Sequence, residues 1–147
     1  MSMGRSIPVL LVEDSEARRD WFLANLPSRF RLVHARSAGQ ALGLLRRDPG
    51  HVYAAILLDH DLQEQARTEA DQGLSGTHVV EAILRHTSPD VPVLVHSANT
   101  IRAPSMVARL AAAGFDVSRH SFGALDAGWL HRWLEEAAEI WEDAARE

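Results

Sequence analysis

Cysteine is absent from this 147-residue sequence. Its absence excludes disulfide bridges, thiolate–zinc sites and cysteine nucleophiles. Lysine is absent as well, because all 15 residues counted as lysine plus arginine are arginines. No reaction of this protein can therefore use a lysine amine. No apolar run is long enough to span a bilayer and no signal-peptide pattern opens the chain, so we expect a cytoplasmic protein that has no membrane partner.

The charge distribution does not indicate nucleic-acid binding. The formal net charge is -5 and no basic run stands out, which argues against a broad patch for nucleic acid. The chain is 46% apolar and 24% charged, which is ordinary for a globular protein. We therefore expect one domain over residues 1–147 with a full core, in which residues 1–6 form a disordered start.

Five apolar segments alternate with amphipathic segments along the chain. The apolar runs predict buried strands, and apolar residues at helical spacing predict the helices between them. The last helix is predicted from about Leu125 to near the chain end, where Trp141 marks either a homodimer contact or a frayed terminus. Short connections favour parallel pairing, so the predicted fold is a five-stranded parallel doubly wound α/β sheet, flavodoxin-like in strand order. The predicted strands are Ile7–Val12, Phe30–Ala35, Tyr53–Leu58, Val91–Val95 and Phe115–Arg119.

Polar residues stand where four of these strands end. Because the carboxyl ends of parallel strands share one edge of a sheet, we expect these side chains to meet there. Carboxylates suit Mg²⁺, and added imidazoles shift the preference towards Zn²⁺ or Mn²⁺. The sequence therefore predicts a divalent-metal site for a phosphate compound, with Zn²⁺ or Mn²⁺ favoured over Mg²⁺. The four clusters are Glu13-Asp14, Asp59-His60-Asp61, His96-Ser97-Ala98-Asn99 and Arg119-His120-Ser121.

A known family is similar in the same segments. The sequence resembles the response-regulator receiver domain over nearly the whole chain. This resemblance implies that Glu13 and Asp14 form the family's acidic pair. It also implies that Asp59 is the phosphoacceptor and that Ser97 holds the hydroxyl position, while His120 stands where the family has a lysine. The segments that carry the resemblance are Val9–Asp14, Leu57–Asp59, Val93–Ser97 and Arg119–Phe122.

A divergent branch of that family, the predicted cyclic-phosphate-processing receiver domains, is more similar still. Its hallmarks are a Leu-Asp-His-Asp-Leu strand end and a later His-Ser-x-Asn before a helix with a methionine. Both occur here, at Leu58–Leu62 and His96–Asn99, and Met106 follows. The resemblance implies a phosphodiesterase. The metal ligands we predict are Asp14, Asp59, His60, Asp61 and His120, and the catalytic residues are His96, Ser97 and Asn99.

Side-chain alternation leaves two choices open at this site. In an extended strand Asp59 and Asp61 face one way and His60 the other. His60 is therefore either a ligand or a histidine that hydrogen-bonds the backbone behind the ligands. Similarly, if Ser97 faces the site, His96 lies behind it unless the backbone departs from the extended pattern.

Three functions fit these residues. The leading hypothesis is hydrolysis of a small cyclic phosphodiester, such as a cyclic nucleotide or a 2′,3′-cyclic phosphate, by metal-activated water. The alternative is a receiver domain that is phosphorylated on Asp59 in two-component signalling. The missing lysine weakens this alternative, because a partly neutral His120 replaces a permanent charge. A third hypothesis is a degenerate receiver that acts only as a docking module.

Overall fold

A computed structural model of the protein describes residues 6–59, 76–97 and 104–146. Within these ranges five strands alternate with five longer helices, and a short 3₁₀ turn at Phe122–Ala124 follows the last strand. The strands are β1 (Ile7–Val12), β2 (Phe30–Ala35), β3 (Ala55–Asp59), β4 (Val93–Ser97) and β5 (Val117–Ser121). The helices are α1 (Glu16–Ala24), α2 (Ala38–Arg46), α3 (Gly76–His86), α4 (Pro104–Ala112) and α5 (Ala127–Arg146).

The strands form one parallel sheet. Its order is β2-β1-β3-β4-β5, so β1, β3 and β4 are the central strands. This is the flavodoxin-like order with its switch point between β1 and β3. The predicted doubly wound α/β fold is confirmed.

β3, β4 and β5 each begin two residues later than the apolar pattern predicts. The Val91 N–H donates to the Ser88 carbonyl oxygen at 3.0 Å, which makes Val91 part of a turn. The Phe115 N–H donates to the Leu110 carbonyl oxygen at 3.1 Å, which makes Phe115 part of the C-terminal cap of α4. Both side chains are buried although neither residue is in a strand. At its other end, β4 extends beyond the apolar run to Ser97 and therefore includes His96.

Helices cover both faces of the sheet and bury alternate residues of each strand. Val9 and Leu11 of β1 pack in the layer that holds α1 and α5. Leu10 and Val12 pack in the layer that holds α2, α3 and α4. Because side chains alternate along a strand, Glu13 follows Leu11 towards the α1 and α5 layer. Side chains at the carboxyl edge of the sheet thus alternate between the two helix layers in the same way as the core residues of the strands.

The last helix is bound to the rest of the domain near its end. The Trp141 indole Nε1–H donates to the His51 carbonyl oxygen at 2.9 Å, and the ring packs beside the α1 and α5 core. This contact gives Trp141 a role within the chain, and a homodimer stays a prediction. In the described ranges, no helix combines the length and the apolar character needed to cross a membrane.

Candidate functional site

Glu13, Asp59 and His96 converge at the carboxyl edge of the sheet. One ligand atom from each lies within 4.8 Å of the other two. All three residues have 0% of their surface exposed. Two carboxylates and an imidazole with this spacing form a donor set that can hold a divalent ion.

Strand register explains why these three residues meet. Asp59 pairs with His96 across β3 and β4, and side chains paired in parallel strands face the same side of the sheet. Val12 pairs with Leu58. The residues that follow this pair in the chain, Glu13 and Asp59, therefore stand side by side. His96 therefore faces the cluster, with its Nδ1 3.6 Å from Glu13 Oε1. The side chain of its neighbour Ser97 lies outside the described part of the chain.

Arg18 completes the cluster from the first turn of α1. Its Nε and Nη2 donate to the two carboxylate oxygens of Glu13 at 2.8 and 3.0 Å. The same Nη2 lies 3.7 Å from Asp14 Oδ1 and 3.6 Å from Asp59 Oδ2. Ser15 caps the helix by accepting the Arg18 N–H on its Oγ. This hydrogen bond fixes the backbone position from which the Arg18 side chain extends. One guanidinium thus bridges three carboxylates.

Opposite effects act on Glu13 and Asp14, the two neighbouring acids that follow β1. Burial raises the pKa of Glu13, but the hydrogen bond from Arg18, the charge of His96 and other contacts outweigh it, so the pKa is lowered. Burial and the adjacent Glu13 raise the pKa of Asp14 above its ordinary value. The Glu13 hydrogen bond raises the pKa of Arg18 against the effect of burial. Arg18 therefore favours the ionised form of Glu13, whereas its surroundings disfavour the ionised form of Asp14.

Aromatic rings enclose the buried imidazole. The Phe22 ring centroid lies 4.9 Å from that of His96, and the Phe122 centroid lies 6.5 Å away. Trp21 packs edge-on against both phenylalanines, at 5.3 and 5.4 Å. Apolar walls of this kind keep water from the buried side of a charged site and so strengthen its electrostatic interactions. The sequence analysis did not foresee this wall.

His120 is not brought into the group that unites Glu13, Asp59 and His96. It pairs with His96 in register, but its ring packs on the Trp129 indole with centroids 4.2 Å apart. Its predicted ligand role therefore stays a prediction. The predicted site residues His60, Asp61 and Asn99 lie outside the residues that the structure describes.

Two histidines that the sequence analysis left aside make local contacts. His34 Nε2 lies 2.7 Å from the Glu13 carbonyl oxygen, so this nitrogen donates its proton there. Burial lowers the pKa of His34, which favours the neutral ring. His131 Nε2 similarly lies 2.7 Å from the Asn25 carbonyl oxygen. Both rings hold backbone in place.

Arg18 is the functional residue that sequence reasoning missed. The signal was present, because a helix capped by Ser15 places Arg18 in its first turn. Helical side chains point back towards the helix N-terminus, and here that direction leads to the end of β1. An arginine four residues after Asp14 in such a helix is a candidate partner for the acids that precede it.

Comparison with known proteins agrees with this description. The family model described as cyclic-phosphate processing receiver domain matches residues 9–112, which confirms the resemblance seen in the sequence. Among curated proteins, none matches the chain.

Solved structures share the fold. The signal receiver domain of an HD domain-containing protein from Pseudomonas fluorescens has a TM-score of 0.69 at 20% identity, covering 95% of this chain and 99% of that one. A receiver domain of a sensor histidine kinase from Pseudomonas aeruginosa, with magnesium in its active-site cleft, has a TM-score of 0.63 at 22% identity, covering 89% and 96%. A response regulator from Burkholderia pseudomallei, with a phosphorylated aspartic acid and calcium, scores 0.62 at 17% identity, covering 95% and 73%.

Proposed function

Because the chain belongs to the cyclic-phosphate processing receiver domain family, we propose that Asp59 accepts a phosphoryl group in a divalent-cation-dependent receiver reaction. The observation that carries this proposal is the position of Asp59. It is a buried carboxylate at the carboxyl end of a central strand, beside Glu13 and Arg18. Ligands of open α/β sheets bind at this edge. The similarity to receiver domains supports this reading better than it supports hydrolysis.

The reaction follows from the carboxylate of Asp59. One of its oxygens attacks the phosphorus of a small phosphodonor, and the bond from phosphorus to the leaving group breaks with its electron pair going to the leaving group. The product is an acyl phosphate on Asp59, which water later hydrolyses to the carboxylate and inorganic phosphate. Arg18 is the permanent cation beside this oxygen, with its Nη2 3.6 Å from Asp59 Oδ2.

The donor set fits a divalent ion. Glu13, Asp59 and His96 would hold it, with Asp14 close by. When bound, such an ion supplies positive charge to phosphoryl oxygens and increases the acidity of water. Mg²⁺ would suit the two carboxylates, whereas the imidazole of His96 favours Zn²⁺ or Mn²⁺.

A phosphorylation assay tests the proposal. The purified protein is incubated with acetyl phosphate and Mg²⁺ or Mn²⁺, and a mass increase of one phosphoryl group is followed by intact-mass spectrometry. We expect labelling of the wild-type protein and of Asp116→Asn, which changes an exposed carboxylate outside the cluster. We expect none in Asp59→Asn. Labelling that persists in Asp59→Asn, or that is absent from the wild-type protein with every metal, contradicts the proposal.

A second candidate is hydrolysis of a small cyclic phosphodiester. The buried imidazole of His96 in the donor set favours it, since such a ligand suits the metals that hydrolases use. The family description, which names cyclic-phosphate processing, gives further support. Here Asp59 and Glu13 would act as ligands and Asp59 would not be phosphorylated.

The same protein preparations separate the two candidates. A 2′,3′-cyclic nucleotide and a chromogenic phosphodiester are offered with Zn²⁺, Mn²⁺ or Mg²⁺ added to metal-stripped protein. Turnover that requires metal, is retained by Asp116→Asn and is lost in both Asp59→Asn and His96→Gln supports the hydrolase. No turnover, together with labelling of Asp59 by acetyl phosphate, supports the receiver reaction.

A further inference from the structure

Arg18 occupies the space between the acids that would bind a metal ion. Its fork donates to both oxygens of Glu13, at 2.8 and 3.0 Å. The terminal Nη2 also approaches Asp59 Oδ2 at 3.6 Å. Glu13 and Asp59 are two of the three residues in the candidate donor set. The guanidinium and a divalent ion therefore need the same oxygens.

The two cations compete for these carboxylates. Metal–oxygen distances are about 2.0–2.6 Å for divalent ions of this kind, so an ion bound to Glu13 and Asp59 would lie close to a guanidinium that donates to both oxygens of Glu13 and approaches Asp59. Like charges repel strongly where water is scarce. The Arg18 fork in this position therefore opposes metal binding at Glu13 and Asp59.

Arg18 has a route by which to leave. Its side chain is 21% exposed, whereas those of Glu13 and Asp59 are fully buried. The chain is anchored by the backbone of α1, and the flexible stem of an arginine allows its head to turn to solvent. Its first helical turn stays fixed by the Ser15 cap. Only the side chain has to move.

We propose that Arg18 is a tethered counter-ion that competes with a divalent cation for Glu13 and Asp59 and so lowers the affinity of the site for metal. This inference rests on the proposed cation dependence of the site, but not on which phosphate reaction occurs there. Arg18 stabilises the buried carboxylates, and a metal ion must displace it. The fraction of protein that holds a metal ion then depends on the free cation concentration. Arg18 shifts the midpoint of this dependence to a higher concentration.

A charge-removing variant tests the competition. Arg18→Met keeps an unbranched stem of similar length, and its matched control is Arg19→Met. Arg19 is the next residue of the same helix and pairs with Asp20 away from the cluster. Mn²⁺ binding to metal-stripped protein is measured by isothermal titration calorimetry. We expect the Kd of Arg18→Met to fall about tenfold or more, and the Kd of Arg19→Met to equal that of the wild-type protein.

Thermal unfolding gives a second readout that a merely structural role would not produce. With a chelator present, Arg18→Met should melt below the wild-type protein, because its carboxylates lose their cation. With saturating Mn²⁺ its increase in Tm should exceed that of the wild-type protein. A metal-induced increase that equals or falls below the wild-type increase contradicts the proposal.

Other outcomes are equally decisive. Equal or weaker Mn²⁺ affinity in folded Arg18→Met overturns the competition, even if the wild-type protein labels Asp59 or hydrolyses a phosphodiester. Tighter binding in Arg18→Met supports it, even if neither reaction occurs. If Arg18→Met does not fold, Arg18→Gln serves, since it removes the charge and keeps an amide that can donate a hydrogen bond to Glu13. An affinity for Mn²⁺ no higher than wild type in that variant contradicts the proposal.

Discussion

Two buried aspartates, one in the loop before β3 and one at the carboxyl end of β3, have very different surroundings. Asp48 precedes the strand and is 4% exposed. Its Oδ1 accepts the backbone N–H groups of Gly50 and Val52 at 2.7 and 3.1 Å, and Thr87 Oγ1 lies 3.5 Å from its Oδ2. Asp59 ends the strand, is fully buried and lies among ionisable groups.

The difference separates a structural carboxylate from the one that we propose to be functional. Backbone N–H groups hold Asp48 in a loop, and neutral donors of this kind satisfy a buried acid without any need for an ion. Around Asp59, by contrast, Glu13, Asp14, Arg18 and His96 place several charges in a space that excludes water. Such arrangements are costly for stability and are typical of sites that bind or react. Burial alone therefore does not identify the site, whereas the partners of the buried group do.

Matched alanine variants at the two aspartates should give the largest contrast. Asp48→Ala leaves buried loop N–H groups without their acceptor, and we expect it to lower the free energy of unfolding by about 1–3 kcal/mol. Asp59→Ala removes one acid from a cluster rich in them, and we expect a smaller loss or a gain. Urea unfolding with a chelator present measures both. A larger loss for Asp59→Ala than for Asp48→Ala would break the distinction between the two carboxylates.

A pH series on an Asp14 variant should sharpen the contrast between buried acids with neutral partners and buried acids with charged partners, and its effect on stability should be smaller. Because burial and Glu13 raise the pKa of this carboxyl above its ordinary 3.8, ionisation at neutral pH opposes folding. Asp14→Asn should then be more stable than the wild-type protein by on the order of 0.5 kcal/mol at pH 7. The gain should be full above the raised pKa, decline as the pH falls through it, and disappear below 3.8, where the carboxyl is neutral in both the folded and the unfolded state. Thermal melts across this range with a chelator give the profile, and a gain that grows in acid would refute the sign.

The smallest effect is expected for an exposed ion-pair network. Arg29, with its side chain 45% exposed, pairs with Glu135 and Glu142 of α5. Exposed pairs typically contribute about 0–1 kcal/mol because water screens them. Arg29→Ala should therefore change the free energy of unfolding by less than about 1 kcal/mol, and added salt should shrink the difference between variant and wild type. A loss as large as that of Asp48→Ala would show that charge pairing outside the core also maintains the fold.

Much of the fold could be predicted from apolar patterning alone. Buried strands such as β1 and β3 stand out because nearly every residue in them faces a core layer. The strand ends could not be predicted so well, since Val91 is apolar and buried yet belongs to a turn. The orientation of His96 also stayed undecided, because His96 and Ser97 are neighbours in an extended strand and only one of them can face the site. Only pairing with Asp59 decides it, and pairing is a property of two strands that neither one encodes by itself.

The contacts across the site were harder to predict than its acids. Glu13 and Asp59 could be named because acids at the ends of buried strands are conspicuous. The spacing of Arg18 after Asp14 marks it as a candidate partner of these acids, but its contacts with Glu13 and Asp59 could not be predicted. They depend on the helix starting at Glu16 and on the angle at which α1 meets the sheet. The positions of the Phe22 and Phe122 rings beside His96 could not be predicted either. Their distance from His96 arises from the packing of α1 and the turn after β5.

The row in which Asp59, His96 and His120 stand abreast across three strands makes this chemistry vulnerable to a simple genetic event. Gain or loss of a single codon within β4 would slip its register by one position, and a slip of one position turns every side chain of a strand to the opposite face. The imidazole of His96 would then point into the α3 and α4 layer while every ancestral residue type was still present. Descendants of this domain could thus lose the proposed reaction while they keep every residue of the candidate site, and a residue inventory would not reveal the loss.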